Sequence, residues 1–281
     1  MKESSSKKCT ICYETDTFLR NKKMSLYKCN SCNHTFTVIP RGEEETYSED
    51  YFINVHKNWF AYPDFDLFER VFNNSKKILG NEKVKMVDVG CGQGTFLKHI
   101  LNTYKSENPE LSGIDIIDNS YPGIKFESGD FLVMDFNENY NIITNFMVIE
   151  HVIDPHLFIV KMVKSLTKNG VIVINTINSN SLIYRFATFL NSLGFSSPHD
   201  RLFNHHHLQH YTNESLIKLL KMEGLDVVKS EIHNYQLKAV DTPSNNPIVV
   251  ALYKLVVGTM FLVSKPLNLG VHQTLYCVKK A

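Results

Sequence analysis

The stretch KVKMVDVGCGQGTFLKHILNTY, residues 83–104, restricts the fold more than any other part of the chain. Its first half, KVKMVDVG, is predicted to be a strand. Its second half, TFLKHILNTY, is predicted to be a helix, with Phe96, Leu97, Ile100 and Leu101 on one side. Between them Gly90, Gly92 and Gly94 stand at alternate positions. A strand that turns into a helix over glycines sets backbone N–H groups and a helix N-terminus beside a nucleotide. The dinucleotide fingerprint is G-x-G-x-x-G. Here the spacing is G-x-G-x-G, and Thr95 falls where the third dinucleotide glycine would. Asp88 precedes the first glycine by two positions. A carboxylate there suits a cationic or amino-bearing ligand better than a phosphate.

The alternation continues downstream. LSGIDI and IKFESGD read as strands, YNIITNFMV and GVIVINTI as apolar strands buried on both faces, and LDVVKSEI and HQTLYCVKK as the last two. HLFIVKMVKSL is expected to be a helix stopped near Gly170. NESLIKLLKMEG is expected to be a helix with Thr212 as its N-cap and Gly224 as its stop. The pattern implies an α/β fold, a parallel sheet with helices on both faces. Connections at about 178–210 and about 236–270 interrupt it, and insertions leaving the carboxyl ends of strands can cover a ligand there. Asp115 ends the second strand, where a carboxylate can accept from both ribose hydroxyls. Asp130 ends the third, where it can accept from an adenine amino group while Phe131 or a neighbour faces the ring.

Residues 1–42 differ from the rest. Cys9, Cys12, Cys29 and Cys32 follow C-x2-C-x16-C-x2-C, a four-cysteine zinc spacing. Four thiolates close a tetrahedral shell, so a zinc ion there is structural, and it supplies folding energy that so short a segment lacks. The expected organisation is a zinc ribbon at 1–42, a helical linker or lid at 43–80, and a catalytic domain at 81–281. With 30 Lys and Arg against 29 Asp and Glu, the whole chain is no bulk polyanion binder, although the ribbon is basic. MKESSSKK has no apolar core, so no signal peptide is read and a cytoplasmic location is expected. The apolar run at 247–263 contains Lys254 and falls short of a membrane span; it reads as a buried helix, with a dimer face or a peripheral membrane contact as alternatives.

The motifs VDVGCGQGTFL, GIDI, SGDF, YNIITNFMVIEHVIDP and HHLQHYTNESLIKLLKMEGLDVV together resemble the class I S-adenosylmethionine-dependent methyltransferases, over about residues 83–235. EHVIDP is the most specific of them, being similar to a motif of many small-molecule methyltransferases. The resemblance implies a Rossmann-like seven-stranded sheet whose last strand is reversed, here HQTLYCVKK. It also implies S-adenosylmethionine as cofactor. Gly90, Gly92 and Gly94 would approach its amino-acid part with Asp88 nearby, Asp115 would take the ribose, and Asp130 and Phe131 the adenine end. Phe146 would offer backbone to the methionine portion. With a zinc ribbon in front, the chain resembles glycan-cluster sugar methyltransferases, to which YSEDYF at 47–52 is close, and zinc-ribbon ribosomal RNA methyltransferases.

Glu150 and His151 directly follow the fourth strand of the sheet. His151 is the candidate base for deprotonating an acceptor hydroxyl, because histidine titrates near neutrality, and Glu150 would orient the loop or the ligand. In HHH, 205–207, adjacent histidines share no face, which disfavours a metal; His207 fits the family pattern as a pocket residue. Tyr51 is a second pocket candidate, with Tyr47 and Tyr62 as lid residues. The expected activity is methyl transfer to a small molecule, a hydroxyl of a sugar, nucleotide-linked glycan precursor or related metabolite. The alternatives are an RNA acceptor held by the basic ribbon, and a methyltransferase-like binding protein without activity.

Overall fold

The computed structural model describes residues 6–38, 61–117, 119–136, 138–204, 206–242 and 244–280. At the N-terminal end β1 (Thr17–Asn21), β2 (Leu26–Cys29) and β3 (Thr35–Thr37) form an antiparallel meander. Beside it the two CxxC turns face each other. Cys9 Sγ lies 3.6 Å from Cys32 Sγ, Cys12 Sγ lies 3.5 Å from Cys29 Sγ, and all four sulfurs fall within 4.8 Å of one another. His34 is not in the cluster; its ring bonds Gln209 Oε1 and Ser215 Oγ.

Helix α1 (Phe65–Leu79) is N-capped by Asp64, whose carboxylate accepts from the Leu67 N–H. It is followed by β4 (Lys85–Val89), α2 (Thr95–Thr103), β5 (Glu110–Asp115), β6 (Ile124–Ser128) and β7 (Tyr140–Phe146). Then come α3 (Pro155–Lys164), β8 (Leu166–Ile177), α4 (Leu182–Ser192), α5 (Ser197–Leu202) and the short β9 (Gln209–His210). The chain ends with α6 (Asn213–Met222), β10 (Leu225–His233), α7 (Pro247–Ser264) and β11 (His272–Lys279).

Seven strands align in the order β10-β11-β8-β7-β4-β5-β6. From β8 to β6 neighbours are parallel, and β11 is antiparallel to both β8 and β10. HQTLYCVKK is therefore the reversed strand, as expected. It re-enters from the end of the sheet at which β10 leaves, and an antiparallel partner needs no crossover back to the other end. The runs in β7 and β8 are buried on both faces because helices cover each side. Thr212 caps α6 in a reciprocal box with Ser215, and Gly224, at φ 76°, ends it. The DP of EHVIDP starts α3: the Asp154 carboxylate accepts from the Leu157 N–H, and Pro155 occupies the first turn.

Three expectations need correction or extension. Helix α3 does not run to Gly170; it ends at Lys164 with Ser165 as its C-cap, and Gly170 lies inside β8. A Cβ at Gly170 would stand 2.6 Å from Leu166 Cδ1 and 3.0 Å from Asn141 O, so glycine admits the close approach of β7 at an irregular register between Tyr140 and Ile142. The run 247–263 is helical but not buried. Among its residues only Val257 lies in the core, and by length and composition the helix is long and apolar enough to cross a membrane. The ribbon sheet, finally, gains a fourth strand from the first insertion. β9 pairs antiparallel with β3, and Cys9, Ile11, Tyr27 and Phe36 share one core with Ile143, Ile149 and Leu219 of the large sheet and its helices.

Candidate active site

A cavity of about 420 Å³ opens at the carboxyl ends of the parallel strands. That is the crevice where open α/β sheets bind ligands. Gly90, Cys91 and Gly92 from the turn after β4 line it, as do Asp115 from β5, Asp130 and Phe131 after β6, Phe146 from β7, and His151.

The three glycines do different things. All have positive φ, at 74°, 53° and 68° for Gly90, Gly92 and Gly94. A Cβ on Gly90 would lie 2.2 Å from Val148 Cγ2, and one on Gly94 would lie 2.7 Å from Phe126 Cζ. Those positions are packed by protein, and Gly94 does not line the cavity. A Cβ on Gly92 would meet nothing within 4 Å, so this glycine leaves open space for a ligand to approach the backbone.

Carboxylates hold the turn in place. Asp115 Oδ2 accepts from the Gly92 N–H at 2.7 Å and Oδ1 accepts from the Ile117 N–H at 3.0 Å. Asp88 is buried and accepts from Thr144 Oγ1 at 2.7 Å; burial, reinforced by Asp115 nearby, raises its carboxyl to about 7. Asp130 accepts from the Leu132 N–H at 2.8 Å, which forms a turn after β6. Phe131 is buried against Phe136 and Phe158, while Phe146 packs edge-on to Phe68 and against Phe96.

After β7 the chain makes a tight corner. Met147 takes φ 55°, rare for a residue with a side chain, and a 3₁₀ turn over Ile149–His151 follows. Glu150 is fully buried. Its Oε2 accepts from Thr176 Oγ1 at 2.8 Å, and its Oε1 has no hydrogen-bond partner among the described residues. His151 Nδ1 lies 2.8 Å from His206 O. A carbonyl only accepts, so Nδ1 carries the proton and Nε2 is the lone-pair nitrogen of the neutral ring. His207 stands edge-on to His151 at 4.8 Å between ring centres, behind it rather than in the cavity wall. Donor atoms of Glu150, His151 and His207 lie within 4.8 Å of one another. His210 is buried and held neutral by its surroundings.

Most other wall residues carry no sequence signal that singles them out. Leu67 and Phe68 come from α1, with Pro63 and Asp64 just before it and Tyr62, an expected lid residue; Tyr235, Gln236 and Ala239 come from the second insertion. Tyr51 and Tyr47 lie outside the described residues.

Comparison with known proteins places the chain. The profile of a methyltransferase domain family matches residues 61–230, more than half of the chain. No curated protein matches it in sequence. Among solved structures it is similar to a chain of the complex between the Haloferax volcanii Trm112 methyltransferase activator and a methyltransferase. The identity is 13%, the TM-score 0.53, and the match covers 84% of this chain and 100% of that one. It is also similar to an S-adenosylmethionine-dependent methyltransferase from Archaeoglobus fulgidus, at 18% identity and TM-score 0.51, covering 82% and 99%. A third is Burkholderia thailandensis 1,6-didemethyltoxoflavin-N1-methyltransferase with S-adenosylhomocysteine bound, at 10% identity and TM-score 0.50, covering 88% and 96%. These likenesses are of fold. The chain belongs to that methyltransferase domain family, and it carries an N-terminal four-cysteine cluster consistent with a zinc ribbon.

Burial raises the Glu150 carboxyl from its ordinary 4.5 to about 7. The folded state thus keeps a proton that the unfolded chain loses, and stability declines as pH rises from 4.5 through about 7. Glu150→Gln removes this dependence. The variant should match the wild type in acid and exceed it above neutrality by up to about 3 kcal/mol. Thermal melts of both across that range measure the gap; a gap that does not widen with pH would show that the buried carboxyl is not protonated in the fold.

Proposed function

We propose that this methyltransferase acts on a small molecule, with a hydroxyl of a sugar, a nucleotide-linked glycan precursor or a related metabolite as acceptor. The observation that carries this reading is that one cavity is lined both by the candidate cofactor residues and by His151. S-adenosylmethionine, when bound, supplies an electrophilic methyl group on a sulfonium. Asp115, at the end of β5, would accept from the ribose hydroxyls. Asp130, with Phe131, would take the adenine end. The open space at Gly92 and the backbone around Phe146 would take the amino-acid portion.

His151 receives the proton that the acceptor hydroxyl gives up. Its Nδ1–H bond to His206 O fixes the ring, so that Nε2 is the nitrogen that would take the proton. Glu150 does not touch the cavity. It accepts from Thr176 through its side chain and from the Leu208 N–H through its backbone, and so positions the turn that carries His151. An RNA acceptor has less support, because basic ribbon residues are engaged within the fold. Arg20 lies over the Phe203 ring and donates to Thr188, Lys23 pairs with Asp200, and Lys8 lies over Tyr13.

The four sulfurs suit zinc. Pairs at 3.5 and 3.6 Å are close to the separation of about 3.8 Å that a tetrahedral ion with bonds of about 2.3 Å requires.

Transfer of a tritiated methyl group, tested on nucleotide sugars, small phosphorylated metabolites and RNA, should label one of the small-molecule classes. His151→Ala should slow that transfer at least about a hundredfold while cofactor affinity holds. Label on RNA alone would overturn the acceptor class, and a wild-type rate would remove His151 as the base. Metal analysis should find close to one zinc per chain, lost in Cys29→Ser together with much of the thermal stability; a fully folded, metal-free protein would refute the zinc site.

A further inference from the structure

We propose that helices α4 and α7 form a docking face for an anionic lipid bilayer. Both helices present their apolar side outward, the reverse of what a soluble domain needs. On α7, Ile248, Leu252, Leu255 and Leu262 recur at helical spacing along one face, and three of them are 70%, 66% and 76% exposed at positions 248, 255 and 262. Phe186 and Phe189 on α4, with Leu193 at its C-cap, make a second outward stripe, and Phe195 just beyond is 66% exposed. The two helices pack side by side, so the stripes belong to one platform. Exposed apolar side chains concentrated on two touching helices mark an interaction surface.

Charge identifies what covers it. Residues 179–199 and 242–280 contain no Asp or Glu, while Arg185, Lys254 and Lys265 belong to the platform helices or their ends. An apolar face whose own two helices carry only basic charges, with the acidic Asp200 and Asp241 just outside them, matches the headgroup and upper acyl layers of an anionic membrane. Although α7 has the length and apolarity of a spanning helix, its inner side is tied to the protein. Val257 and Ser264 are buried, Asn234 Nδ2 donates to Phe261 O at 3.1 Å and to Ser264 Oγ at 2.9 Å, and the Phe261 ring packs edge-on to Tyr235. The helix therefore lies along the bilayer surface and does not cross it. Tyr235 also lines the cavity, so docking sets the active site beside the membrane. Only that last consequence, access to a bilayer-anchored acceptor, rests on the methyl-transfer reading.

Sedimentation of the full chain with vesicles tests the proposal without any cofactor. The protein should pellet with vesicles of phosphatidylglycerol and phosphatidylcholine in equal parts, less with phosphatidylcholine alone, and less as salt rises. Leu255→Asp with Leu262→Asp should weaken the partition coefficient at least about a hundredfold. Both side chains are exposed, so near-ultraviolet circular dichroism should be unchanged. Lys254→Gln with Lys265→Gln should erase the preference for the anionic lipid. A wild-type chain that stays in the supernatant with both vesicle types overturns the proposal. So does a homodimer that the leucine variant dissociates while vesicle binding is absent. Either result leaves the methyl-transfer assay free to succeed or fail by itself.

Discussion

The two hydrogen bonds accepted by the Asp115 carboxylate hold the site together. One fixes the Gly92 N–H of the turn after β4, the other the Ile117 N–H beyond β5. Bonds to a charged acceptor are stronger than neutral ones, and both donors here are main chain. The turn can thus keep a left-handed residue at its centre with open space above it. Asn119 Nδ2, donating to Gly92 O, closes the same loop from the other side. Asp88 does comparable work one layer down, joining β4 to β7 through Thr144. Acidic residues at the ends of β4 and β5 thereby shape the floor of the cavity before any ligand enters.

The ribbon is part of that architecture and not an appendage. Cys9 and Cys12 precede β1, Cys29 ends β2 and Cys32 lies in the turn to β3, and β3 pairs with β9 of the first insertion. The residues around β9 then reach the corner that carries His151. The Leu208 N–H donates to Glu150 O, and Gln209 Nε2 donates to Val152 O. His156 Nε2 bonds Ile11 O inside the first CxxC turn and its Nδ1 bonds Glu223. A metal that orders the cysteines would in this way also order the 3₁₀ turn over Ile149–His151. The path is a chain of covalent neighbours and hydrogen bonds across a shared apolar core.

Much of this is legible in the sequence because local periodicity and sheet burial agree. Most of the strand and helix order of the large sheet, the cysteine cluster and the Thr212 cap follow from short-range patterns, while the reversed last strand follows from the family resemblance. Asp115, Asp130 and His151 also fall where strand ends predict, at the cavity. What stays hidden depends on distant contacts. That Gly90 and Gly94 serve packing while Gly92 faces open space is decided by Val148 and Phe126, which lie far along the chain. Gly170 resembles a helix stop because its neighbour Asn141 in β7 is invisible to the local pattern. The strained Met147 has no residue signature at all. Apolarity points α7 inward, because composition cannot tell a core helix from one that faces outward.

On this account the Asp115 carboxylate both builds the turn and receives the cofactor's ribose. Calorimetric titration of S-adenosylmethionine into the wild type and into Asp115→Asn tests that double role most directly. The neutral amide keeps the shape but loses one acceptor and the charge, so affinity should fall at least about thirtyfold with the melting transition retained. Equal affinity for the two proteins would contradict the assignment and move the cofactor's anchor elsewhere in the cavity.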